Sequence, residues 1–143
     1  MDTREATIVA YHLGEIMTPA LRELYRLFDG DLVLALVLGE LGQHSARQRM
    51  AIEKGIDTDA PYAMSNAYSL AQASGIPRET MRRKLEKLKA LGWIRESENG
   101  GLSLNPDTEP PLAERFKDYN QTLLIRMRKS LQQLEGIAPS ADT

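Results

Sequence analysis

The chain has no cysteine, one tryptophan, two phenylalanines and two histidines among its 143 residues. Without cysteine there can be no disulfide, thiolate metal site, cysteine nucleophile or iron–sulfur cluster, and a reducing cytoplasm is compatible with the composition. With only His12 and His44 there is no H-E-x-x-H pair and no Cys–His constellation, and no glycine-rich phosphate loop appears either. Asp57 and Asp59 hint at a calcium loop. The sixth position from Asp57 is Tyr62 and the twelfth is Tyr68, where such a loop needs glycine and a bidentate glutamate, so that reading fails. No enzyme, metal or cofactor is expected. Long hydrophobic runs are also missing: the longest, "LVLALVL" from Leu32 to Leu38, falls far short of the roughly 20 residues that span a bilayer. The first residues, MDTREATIVAYHLGE, lack the basic-then-apolar order of a secretory signal. A soluble cytoplasmic protein is the expectation, with no membrane partner.

What is present is close to the globular average, with 42% hydrophobic and 27% charged residues. The length fits one domain with a core of its own. Most of it reads as helix. In "MTPALRELYRLFDG" Thr18 suits an N-cap and Pro19 the first helical position, with Leu21, Leu24, Tyr25 and Phe28 at helical spacing and Gly30 at the stop. The apolar spacing of the preceding "IVAYHLGEIM" allows a helix that Gly14 weakens. Asp31 can cap a helix from Leu32 to about Lys54, ended by Gly55. The first half of that helix is apolar nearly all round, so it must be enclosed by the domain or by another subunit.

After a turn-rich connection over residues 55–68, Ser69 and Gln72 form an S-x-x-Q capping box and Gly75 ends a short helix. Another helix starts at or beside Pro77, with Met81, Leu85 and Leu88 as an apolar stripe and Gly92 at its close. The segment "WIRESENGGLSLN" predicts a two-stranded hairpin turning at Asn99-Gly100-Gly101. From Leu112 to about Glu135 a long helix carries Leu112, Phe116, Tyr119, Leu123, Met127, Leu131 and Leu134 at near-heptad spacing. The division is residues 1–55 as N-terminal helices, 62–105 as the central module, 111–135 as the C-terminal helix and 136–143 as a frayed tail.

Charge is concentrated in the central module. Arg78, Arg82, Arg83, Lys84, Lys87, Lys89 and Arg95 stand against Glu79 and Glu86, a net of +5 over residues 78–95 in a chain whose total is −2. Helix, glycine turn, charged helix and hairpin, in that order, resemble a winged helix-turn-helix. The resemblance covers about 40 residues, from Tyr68 to Leu104, and rests on Leu70, Ala71, Gly75, Ile76, Met81, Leu85, Leu88, Gly92 and Ile94. Ala71 is the small residue that two crossing helices need at closest approach. The flanking helices make the chain most similar to the MarR group of bacterial regulators, with the GntR winged domain next. The resemblance implies that the second helix enters the major groove of duplex DNA.

With Met81, Leu85 and Leu88 turned inward, Arg78, Glu79, Arg82, Arg83 and, further along, Glu86 and Lys87 face outward, and Thr80 lies at the margin. The three arginines suit guanine edges or phosphates, and the sequence leaves both open. Glu79 suits either a cytosine amino group or the positive end of the helix. Lys84, Lys87, Lys89 and Arg95 suit backbone contacts or simple solvation. The hairpin tip offers Glu96, Glu98 and Asn99 where the resemblance implies an arginine, a departure that counts against strong wing contacts. The long C-terminal helix with its seam and the apolar front half of the Leu32 helix carry more apolar area than a module of about 40 residues can cover, so a homodimer is expected, the alternative being that these helices pack on one another within a single chain. The resemblance further implies an effector pocket, for which Tyr11, His12, Tyr25, Tyr62 and Tyr68 are the candidates, although nothing in the residues identifies an effector. The expectation is a transcriptional regulator that binds double-stranded DNA. The rival is a winged helix that meets an acidic protein partner.

Overall fold

The computed structural model describes residues 1–55 and 65–137. The chain is mainly helical with one small antiparallel sheet, and it divides into two compact units, Asp31–Leu112 and Met1–Gly30 with Ala113–Thr143. No helix among the described residues is long and apolar enough to cross a membrane. Tyr62, the Asp57–Asp59 pair and the end of the tail lie outside the described residues.

The unit Asp31–Leu112 holds α2 (Leu32–Glu53), α3 (Ala67–Ser74), α4 (Arg78–Ala90), β1 (Ile94–Glu96) and β2 (Leu102–Leu104), with α1 (Thr3–Leu27) belonging to the other unit. Helix α2 packs against α3, α4 and β2, so it serves the charged module rather than the N-terminal helices with which the sequence grouped it. Its Asp31 cap is as predicted, the carboxylate accepting from the Leu34 N–H at 2.9 Å. The core interleaves Leu34, Val37, Leu38 and Leu41 of α2 with Leu70 of α3, Met81, Leu85 and Leu88 of α4, and Ile94 and Leu102 of the strands. Burying side chains of this size is worth about 1.5–3 kcal/mol each relative to exposure. Only one face of α2 is enclosed: Leu32, Val33 and Leu36 remain exposed.

Helix α3 begins earlier than predicted. Asn66, not Ser69, is the N-cap: its side chain accepts from the Ser69 N–H at 2.8 Å while the Ser69 hydroxyl accepts from the Asn66 N–H at 3.0 Å. Ser69 is therefore the far end of a capping box, and the Gln72 side chain turns to the Tyr68 hydroxyl instead. Gly75 ends α3 at φ +77°, a conformation that costs glycine nothing. The strands pair Ile94 with Leu104 and Glu96 with Leu102. Past the hairpin, the Gly92 carbonyl accepts from both the Asn105 amide and the Thr108 hydroxyl at 2.8 Å, fastening the returning chain to the end of α4.

In the other unit α1 packs against α6 (Lys117–Gln133), preceded by the short α5 (Leu112–Arg115). Residues 19–26 face 118–126 and residues 11–19 face 126–133, so the two helices run antiparallel. Two predictions are corrected here. Thr18 and Pro19 do not start a helix. The start is Asp2, whose capping box with Glu5 satisfies both backbone donors, and Pro19 lies inside. A proline there removes one backbone hydrogen bond, yet Ile8, His12, Ile16, Ala20, Leu24 and Phe28 continue one partly buried stripe at a spacing of four straight past it. The single C-terminal helix is likewise interrupted. Phe116, at φ −101° and ψ 8°, separates α5 from α6, and its ring stacks on Phe28 at 5.7 Å.

The predicted heptad seam splits as well. Phe116, Tyr119 and Leu123 lie inward and Leu134 is buried, with Arg126 and Ser130 completing that stripe, while Met127 and Leu131 face solvent beside Leu124 and Ile125. Burial holds the Tyr119 hydroxyl above its ordinary pKa. No residue within α1 is buried.

Candidate nucleic-acid interface

Helix α4 is positioned from three sides. Its inward stripe of Met81, Leu85 and Leu88 is buried in the core. Its start is set by the link Gly75-Ile76-Pro77, with the Met81 N–H bonding to the Pro77 carbonyl at 2.9 Å. Its flank is held by Asp31, whose carboxylate meets the Lys84 ammonium at 2.7 Å and that of Lys87 at 3.6 Å. Burial alone would raise the Asp31 pKa, but the Lys84 hydrogen bond, the Leu34 N–H and the two lysine charges outweigh it and hold the carboxyl below its ordinary value. One aspartate thus caps α2 and grips α4.

The basic residues sort by what they meet. Lys84 is partly buried on Asp31. Lys89 bridges Glu96 at 2.9 Å and Glu86 at 3.1 Å, which raises its pKa and ties the end of α4 to β1. Arg95, on β1, lies 3.6 Å from Asp107. Arg82 is exposed and doubly bonded to Glu79, at 2.5 and 3.0 Å. That contact lowers the glutamate pKa and raises the arginine's. Arg78 sits at the first position of α4 with its guanidinium carbon 5.7 Å from the centre of the Tyr68 ring. Arg83 is exposed and makes no ion pair among the described residues.

Of the residues expected in contact with DNA, Arg78, Glu79, Arg82 and Arg83 therefore share the first turn and a half of α4, all exposed, with Thr80 partly buried beside them. Lys87 lies farther along and is exposed although near Asp31. Arg95 is separate, on the hairpin. At the hairpin tip the Asn99 side chain accepts from the Gly101 N–H at 3.1 Å, and Glu98 faces solvent.

The aromatic candidates for an effector pocket fall in different places. Tyr11 and His12 meet edge to face at 5.2 Å and line a groove with Arg126 and Lys129. Tyr25 packs its ring beneath Gly30. Tyr68 stands beside Arg78. Two roles were missed from the sequence, the Asp31 grip on α4 and the Tyr68 contact with Arg78, because both join residues that no helical periodicity links. Compared with protein families, curated proteins and solved structures, the chain matches none.

Proposed function

We propose that the unit Asp31–Leu112 is a winged helix-turn-helix that reads duplex DNA with α4, and that the protein, similar to MarR-type regulators, controls transcription as a homodimer. The observation that carries this reading is the two-faced character of α4: Met81, Leu85 and Leu88 are buried on one side, and Arg78, Arg82 and Arg83 are presented on the other. A helix fixed by its apolar stripe and armed outward with guanidinium groups can place planar donors in a major groove or on flanking phosphates.

The homodimer rests on the other unit. In α1 the residues Leu13, Met17, Leu21 and Tyr25 form an exposed apolar stripe at a spacing of four, and Leu124, Ile125, Met127 and Leu131 expose a second on α6. A pair of antiparallel helices buries only one side of each, and a second copy would cover the exposed stripes with the geometry of a four-helix arrangement. Two copies would also engage half-sites about one helical turn apart, which raises affinity and fixes spacing.

The test is selection of bound sequences from a random duplex pool, followed by titration of the winner across salt concentrations. The reading expects an inverted repeat with half-sites one turn apart and a steep linear fall of log affinity with log salt. No retention at low salt would overturn it. The rival reading, a winged helix that binds an acidic protein, draws on the carboxylates that already meet Arg82, Lys84 and Lys89. It expects a shallower salt slope and no enriched DNA sequence.

A further inference from the structure

Arg78 and Arg82 are both outward-facing arginines near the start of α4, but they are held by opposite means. Arg82 donates to both oxygens of Glu79, so part of its donor edge is occupied and its charge is balanced. Arg78 has no carboxylate partner among the described residues. Its guanidinium lies over the face of Tyr68. A ring face within about 6 Å attracts a guanidinium through its quadrupole and supplies no oxygen acceptor that would occupy its N–H groups. Tyr68 is a large ring, 54% exposed, in the first turn of α3, outside the core that Leu70 joins. Its hydroxyl is fixed by the Gln72 side chain, which donates to it at 2.8 Å. Ring, amide and guanidinium thus form one ordered surface that crosses from α3 to the start of α4.

We infer that Tyr68 is a positioning residue that holds Arg78 through a cation–π contact and keeps its donor edge free for the DNA, extending the reading surface onto α3. This rests on the DNA reading above. Ordering the guanidinium before contact reduces the side-chain entropy lost on binding, and a ring partner leaves Arg78 able to make the two-pronged contact that a guanine edge or a phosphate accepts. Arg82 must first release Glu79 to do the same. Tyr68 is thereby assigned to the DNA surface, not to an effector pocket.

The test measures binding of the full-length protein to the selected duplex for Tyr68→Leu, Tyr68→Phe and Arg78→Ala, and for Tyr68→Leu combined with Arg78→Ala. Tyr68→Leu is expected to weaken binding about three- to tenfold, while Tyr68→Phe, which keeps the ring, stays within about twofold of wild type. In the Arg78→Ala background Tyr68→Leu should have no further effect, because the partner it positions is gone. In the free protein the Arg78 δ-methylene protons should show an upfield ring-current shift that Tyr68→Leu abolishes and Tyr68→Phe retains. Wild-type affinity in Tyr68→Leu, an equal loss in both backgrounds, or a Tyr68→Phe loss matching that of Tyr68→Leu would each overturn the positioning role and leave the DNA reading intact. Failure of the wild-type protein to bind any duplex would overturn the DNA reading itself, and the assignment of Tyr68 to it.

Discussion

The two units of this chain spend their apolar residues differently. In Asp31–Leu112 the large side chains close on one another, and four of them, Val37, Leu41, Met81 and Leu88, are almost wholly buried. In the pair α1 and α6 the apolar residues are as plentiful, yet nothing within α1 is buried, and Met17 is 55% and Leu131 60% exposed. A closed core needs elements on more than two sides, and a two-helix pair offers each helix only one neighbour. The difference teaches that residue type alone does not tell a core from a surface. Apolar residues at helical spacing are mostly interior in one unit and mostly exposed in the other.

The comparison can be broken most forcefully in the core. Met81→Ala or Leu41→Ala should cost about 2–5 kcal/mol, because each leaves a cavity in a packed interior. Denaturant unfolding would register it as a lower midpoint with an unchanged slope, and a loss below about 1 kcal/mol would mean that the core is not closed. On the other unit, Met17→Glu with Leu131→Glu should leave the helical content intact and convert a dimer to a monomer in sedimentation equilibrium. A dimer that survives both charges would place the self-association surface elsewhere. On the α4 surface, Arg82→Ala and Arg83→Ala should each weaken DNA binding about tenfold or more if the arginine reads a base and leave the melting temperature unchanged. Normal binding by both would remove them from the interface.

The smallest effect separates the two tasks of Asp31. Asp31→Asn keeps a good cap for α2 and removes the charge that holds Lys84 and Lys87, so it should cost about 1 kcal/mol. The pH dependence has a definite sign. The folded Asp31 carboxyl titrates below its ordinary value of 3.8, so its contribution is complete above that value and is lost as pH falls through the lower folded value. Acid unfolding of wild type and Asp31→Asn should therefore converge at low pH. A constant gap between them would show that the charge does not matter.

Much of the module around α4 is legible in the sequence because local rules and tertiary packing agree there. Gly75, Gly92 and Gly100 all take the positive φ that their turns need, the spacing of Met81, Leu85 and Leu88 marks the buried face, and Asn99-Gly100-Gly101 marks the hairpin. The misreadings come from competing signals of similar strength. Asn66 and Ser69 are both good caps three residues apart, and the S-x-x-Q pattern favours the wrong one. Thr18-Pro19 has the form of a helix start, but a stripe running from Ile8 to Phe28 outweighs one lost hydrogen bond. Phe116 fits a heptad position, yet it separates α5 from α6 and its ring stacks on Phe28, distant in sequence. The candidate site was legible as a list of outward arginines. Their partners were not, since Asp31 meets Lys84 across 53 positions and Tyr68 meets Arg78 across a turn.

The buried stripe of α4 has one more consequence, which concerns change over generations. Because Met81, Leu85 and Leu88 anchor the helix, residues 78, 79, 82 and 83 carry almost none of the burden of folding, and substitutions at such positions usually shift stability by less than about 0.5 kcal/mol. The outward face can change, over generations or in the laboratory, while the scaffold stays as it is. Heredity can treat this helix as two texts printed on opposite sides of one page, and revise one without smudging the other.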